Sequence, residues 1–122
     1  MAKKPSAKKN KKQLVIDKKK LRSIKRHSFA GNSYNISWVK PSPTVDDKGN
    51  KVEVYGLCEE PKTEDKKITI SPHLSEEEFL KTCIDEAIHA CNWSLDNEAV
   101  DDMSESIGSF LYRIGFRLNH RH

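Results

Sequence analysis

The stretch Ser75–Trp93, "SEEEFLKTCIDEAIHACNW", decides how the rest of the chain is read. Ser75 with Glu78 three residues later is a capping box, in which the hydroxyl and the carboxylate satisfy each other's free amides at a helix start. From there Phe79, Leu80, Cys83, Ile84, Ala87, Ile88 and Cys91 recur at three- and four-residue spacing. That spacing predicts one helix with a continuous apolar face, ending near Asn92 or Trp93. Within it runs Asp85-Glu86-Ala87-Ile88-His89, which is His-Glu-x-x-His with aspartate in the place of the first histidine. Asp85, Glu86 and His89 rise from neighbouring positions on successive turns. They flank the apolar stripe, where a polar cleft rather than a core is expected.

Working outward, Asp96 or Asn97 caps a second helix whose apolar positions are Val100, Met103, Ile107, Leu111 and Ile114. Gly115 is its terminator, and Phe116 and Leu118 are expected to pack back. The short "SLDN" link makes the two helices adjacent. Upstream, "SYNISWVKP" alternates Tyr34, Ile36 and Trp38 with smaller or polar residues, a half-buried strand. "PSPTVDDKGN" is turn chemistry, "KVEVYGLC" a second strand, and "KITISP" a third on Ile68 and Ile70. The first two are expected to form an antiparallel hairpin. "LRSIKRHSF" either adds an edge strand or continues the N-terminal arm. The fold class is α+β: a small antiparallel sheet of about three strands with two consecutive helices packed against it.

Charge divides the chain. Residues 1–26 carry 12 Lys/Arg against one acidic residue, Asp17, whereas residues 27–122 carry 10 Lys/Arg against 17 Asp/Glu. The expected organisation is a disordered basic arm over 1–23, a domain over 24–118 and a polar tail over 119–122. No apolar run at the N-terminus suits a secretory segment or membrane span, so the expectation is a cytoplasmic protein without a membrane partner. Three cysteines with no C-x-x-C pair suit a reducing compartment. The arm is either a solubilising tail or a salt-dependent contact to nucleic acid or another polyanion.

The chemistry lies in the helix stretch. Ligands at i and i+4 can clamp one metal ion, and the Glu after the first ligand stands beside the water such an ion binds, as general base. A third ligand from a later element leaves a position open for water or substrate. Asp85, His89 and Glu98, nine residues beyond His89, fill the ligand roles, with Glu86 as base. Two carboxylates with one histidine bind zinc less tightly than a histidine-rich set and widen the choice to manganese or iron. Read alone, D-E-x-x-H is more often a solvated helix face.

The context is "SWVKP", "GLCEEP" (Gly56, Cys58, Pro61), "KITI", "IDEAIHACNW", "NEAV" and "YRIGFR", in that order. From about Ile24 to Leu118 this set resembles a family of short bacteriophage and bacterial proteins with a minimal zincin-like metallopeptidase core. The resemblance implies a helix-borne site with Glu86 as base, His89 as ligand and Glu98 as the later carboxylate ligand. Asp85 departs from the family's histidine. The function expected is therefore a metal-dependent, zincin-like hydrolase acting on a peptide or protein substrate. The rival is a catalytically inactive scaffold whose basic arm binds nucleic acid or an acidic protein partner.

Other chemistry-bearing residues have simpler readings. Cys58 suits a buried turn position better than an extra ligand, and Cys83 and Cys91 fall on the apolar helix face as core. Trp93 either walls a cleft or packs at the helix end. Tyr112 lies about four turns beyond Glu98, which favours packing over catalysis. His73 and the terminal "HRH" read as solvated.

Overall fold

The computed structural model describes residues 3–6 and 23–117. Among the described residues seven strands precede two helices: β1 (Lys3–Ser6), β2 (Arg26–Phe29), β3 (Asn32–Ser37), β4 (Thr44–Val45), β5 (Lys51–Val52), β6 (Gly56–Glu59), β7 (Lys67–Ile70), α1 (Glu76–Cys91) and α2 (Asn97–Arg113). β2 and β3 form a hairpin across Ala30-Gly31, whose φ angles of 50° and 84° are those of a tight two-residue turn with both central residues left-handed. "LRSIKRHSF" thus supplies an edge strand.

The expected hairpin between "SYNISWVKP" and "KVEVYGLC" does not form. The five-stranded sheet has the order β1-β6-β7-β3-β2, with β7 between the two. β7 runs parallel to β3 and antiparallel to β6, so the sheet is mixed rather than antiparallel. The turn-rich segment after β3 instead closes its own two-stranded ribbon, β4–β5, in which the Asp46 carboxylate accepts from the Lys48 and Asn50 amides. Residues 3–6, expected within a disordered arm, pair with β6 as an edge strand, a position where Pro5 is tolerated. The expectation of disorder over 7–22 and of a polar tail over 119–122 lies outside the described residues.

Cross-strand register puts Ile36, Ile68 and Cys58 in one row on the face that meets α1. Tyr34, Ile70, Leu74, Phe79 and Ala90 complete the buried core, with Trp38 and Trp93 packed at its margin. α1 lies on the sheet. α2 packs chiefly on α1 rather than on the sheet as expected, so the described residues form three layers. The reason is the row Val100, Ser104, Gly108, which is the buried side of α2. A Cβ on Gly108 would stand 3.1 Å from Lys81 Cα, so this glycine sets the close helix approach.

Both helices begin and end where local chemistry places them. The Ser75 hydroxyl accepts from the Glu78 amide, and Asp96 accepts from the Ala99 amide. Replacing Ser75 with alanine is expected to cost about 1 kcal/mol of unfolding free energy, measured by urea denaturation. A loss below about 0.3 kcal/mol would mean that water serves that helix end equally well. At the far end of α2, Gly115 adopts φ 105°, its amide bonds to Tyr112 O, and the Phe116 amide bonds to Leu111 O. Phe116 does not pack back but is exposed, and Leu118 lies outside the described residues. Arg117 folds over the Tyr112 ring at 3.6 Å and approaches Glu76 at 3.6 Å. Tyr112 is therefore a packing residue.

Candidate functional site

The face that α1 turns to the sheet is its polar one. Its buried residues are Phe79, Thr82, Asp85, Glu86, His89 and Ala90, whereas Leu80, Cys83, Ile84, Ala87 and Ile88 are only partly buried and Cys91 is exposed. This corrects the expected apolar face, and Cys91 is not core. Thr82 tolerates burial because its hydroxyl donates to Glu78 O at 2.8 Å. The three residues that follow have no such outlet.

Asp85, Glu86 and His89 are each at most 1% exposed. Both Asp85 oxygens, both Glu86 oxygens and His89 Nδ1 lack a hydrogen-bond partner among the described residues. Leaving one such group unsatisfied in the interior costs about 1–3 kcal/mol, and a charged one costs more. For a chain of this size the concentration of orphaned polar atoms on one helix turn is a large penalty. It calls for a compensating role.

The geometry of the pair is informative. His89 Nε2 and Asp85 Oδ1 stand 3.4 Å apart. Two donors bound at about 2.0–2.1 Å to one tetrahedral ion are separated by roughly the same 3.4 Å. Asp85 and His89 therefore span one edge of such a coordination polyhedron. The third expected ligand does not join them. Glu98 is exposed on the first turn of α2, and no group of three or more His, Cys, Asp or Glu suited to a metal ion occurs among the described residues. The donors fit a cation as a pair, not as a completed triad.

Glu86 is placed by a glycine. A Cβ on Gly56 would lie 2.7 Å from Glu86 Oε2 and 2.8 Å from Thr82 Cγ2, so only a residue without a side chain lets β6 pass over this carboxyl. Burial, with the Asp85 and then the Asp101 carboxylates adding to it, pushes the Glu86 pKa well above the usual carboxylate range. Burial therefore favours the protonated form of Glu86. Cys58, on the same face of β6 as Gly56, is fully buried, and burial followed by the Glu86 charge pushes its thiol up to about 12. It is a buried core thiol as expected, on a strand rather than in the expected turn.

No family model, curated protein or solved structure matches this chain.

The remaining candidates fall outside it. Trp93 packs at the end of α1, its ring edge-on to His89 at 6.3 Å between centroids. His73 is exposed, and the terminal "HRH" lies outside the described residues. A cleft of about 310 Å³ opens between the Pro41–Thr44 segment and the sheet, lined by Leu57, Lys67 and Thr69. By strand alternation these residues occupy the opposite sheet face from Ile68 and Cys58, so the cleft does not communicate with Asp85. No helix among the described residues is long and apolar enough to cross a membrane. Sequence reasoning missed Gly56 as a part of the site. The available signal was its alternation with Cys58, which puts both on the core face if "GLCE" is a strand.

Proposed function

We propose that this chain is a zincin-like, peptidase-like domain that takes a divalent cation, zinc first and manganese or iron next, through Asp85 and His89. The observation that carries this reading is the buried Asp85–His89 pair, with Nε2 3.4 Å from Oδ1 and both Asp85 oxygens unpartnered. A bound cation would supply Lewis acidity and acidify a water. The chain's own residues supply the rest. Asp85 and His89 fix the ion's position along α1, and Glu86, one residue on, is the group that exchanges a proton beside it. Glu98 becomes the third ligand, a second carboxylate, if its side chain turns inward from the first turn of α2. A peptide or protein would be the substrate of the completed site.

A second reading rests on a specific observation. All three side chains are closed off from solvent, and burial raises the Glu86 pKa, which disfavours the ionised form that a general base needs. That is the state of a scaffold without turnover, serving as a binding module. Its basic segment, with 12 Lys/Arg in the first 26 residues, would then contact nucleic acid or an acidic protein.

Elemental analysis and zinc titration of the untagged chain decide between them. The metal reading predicts about one equivalent of bound cation, with affinity reduced at least about tenfold in both Asp85→Ala and His89→Ala. A parent chain that takes up no zinc, manganese or iron would remove the metal site and leave the binding module. Peptidase activity that requires the cation and is lost in Glu86→Gln would establish the hydrolase.

A further inference from the structure

The second helix exposes what its sequence pattern marks as core. Ile107, Phe110 and Ile114 are 42%, 61% and 57% exposed, and Phe116 beyond the helix end is 58% exposed. With the partly buried Met103 they form a stripe at spacings of four, three and four residues, the repeat of a helix–helix seam. The cause is the row Val100, Ser104, Gly108, which faces α1 instead. Because that row is small, α2 sits tightly on α1 and the larger apolar row is left outside. Contiguous exposed apolar surface of this kind marks an interaction site.

The charges beside the stripe identify what it fits. Asp102 and Arg113 are both exposed and lie eleven residues apart, three turns of helix, so they share one flank with one at each end. A two-fold axis crossing α2 near its middle exchanges these ends. It sets Ile107 against Phe110 of a second copy and Met103 against Ile114. It also brings Asp102 close to Arg113 of that copy, once at each end of the seam. A parallel arrangement would put like charges together instead.

We propose that the Met103–Ile107–Phe110–Ile114 stripe of α2 is a docking surface for α2 of a second copy of this chain, packed antiparallel about a two-fold axis. The interaction is independent of any metal, since Asp85, Glu86 and His89 lie on the other helix and face the sheet. Each copy contributes the same apolar row, with an acidic charge at one end and a basic charge at the other, so the surface closes on itself as a dimer and leaves no free half to extend a filament.

Sedimentation equilibrium of the full chain, over about 1–300 µM, tests this. The expected result is a monomer–dimer equilibrium with a dissociation constant on the order of 10 µM. Phe110→Glu is expected to weaken it by more than about tenfold, without loss of fold by circular dichroism because Phe110 is solvent-exposed. Asp102→Arg is expected to weaken it severalfold, and adding Arg113→Asp to restore it. A chain that stays monomeric throughout overturns the proposal and leaves the stripe to another occupant, such as the chain's own basic segment. A dimer indifferent to Phe110→Glu overturns it as well. A dimer that Phe110→Glu breaks but the double charge exchange does not restore rules out the antiparallel arrangement.

Discussion

Glu86→Gln is expected to stabilise the metal-free domain at pH 7, by at most about 3 kcal/mol, and to flatten its stability between mildly acidic and neutral pH. The native carboxyl is fully buried, unpartnered and flanked by Asp85, so it keeps its proton well above the ordinary carboxylate range. In the unfolded chain the same group loses its proton near pH 4.5. Between those two values the native state binds one more proton than the unfolded state. Its contribution is therefore full below about pH 4.5 and falls by about 1.4 kcal/mol for each pH unit until the native carboxyl itself titrates. Glutamine has nearly the same shape and no proton to lose. Urea unfolding from pH 4.5 to 8 with chelator present is the measurement. A parent and variant with parallel pH profiles would mean that Glu86 reaches water in the native protein. Added zinc should act in the opposite sense, stabilising the parent most where carboxylates and imidazole are deprotonated.

Gly56→Ala should destabilise the domain by about 1–3 kcal/mol, the usual cost of overpacking a filled interior. The added methyl carbon would meet Glu86 Oε2 at 2.7 Å and Thr82 Cγ2 at 2.8 Å, and both neighbours sit on the sheet-facing side of α1 where they cannot swing out. The conformation at Gly56 is not left-handed, so the loss would come from space alone. A double-mutant cycle separates the two neighbours. If the close approach to Glu86 dominates, Gly56→Ala in a Glu86→Ala background should lose about 1 kcal/mol less than in the parent. Additive losses would assign the contact to Thr82, and a single-variant loss under about 0.5 kcal/mol would show that β6 can lift away from α1. Zinc affinity in Gly56→Ala is the functional counterpart, because lifting β6 would uncover the Glu86 carboxyl that it packs against.

What could be read from the chain divides by range. The ends of both helices rest on contacts within four residues, and Ser75, Asp96 and Gly115 each stand where their chemistry indicates. The juxtaposition of Asp85, Glu86 and His89 is likewise local, since a helix turn makes it unavoidable. Which face of α1 would be buried was not local. Apolar spacing pointed to Leu80, Ile84 and Ile88, but α1 lies between a sheet and a second helix, and the room made by Gly56 admits the acidic stripe to the sheet side. The same kind of error placed Ile107 and Ile114 inward, because nothing in their spacing reveals that Ser104 and Gly108 form the closer-packing row. Strand pairing failed for a related reason. Alternation identifies a strand and its inner face but not its neighbour, and the parallel β3–β7 pair joins segments more than thirty residues apart. Glu98 depended on how α2 leaves the "SLDN" link, a rotation no motif specifies.

The strand order has a consequence for how the chain reaches this fold. The two edges of the sheet, β1 and β2, come from the first thirty residues, whereas the central strand β7 is the last of the seven to emerge during synthesis. Until Lys67–Ile70 is available, β3 and β6 have no common neighbour, and the β2–β3 hairpin must wait with one edge open. Sheet closure is thus a single late event of high sequence separation, of the kind that slows folding relative to a chain of nested hairpins. The acidic helix follows immediately on that strand. The chain can bury Asp85, Glu86 and His89 only after the surface that receives them already exists.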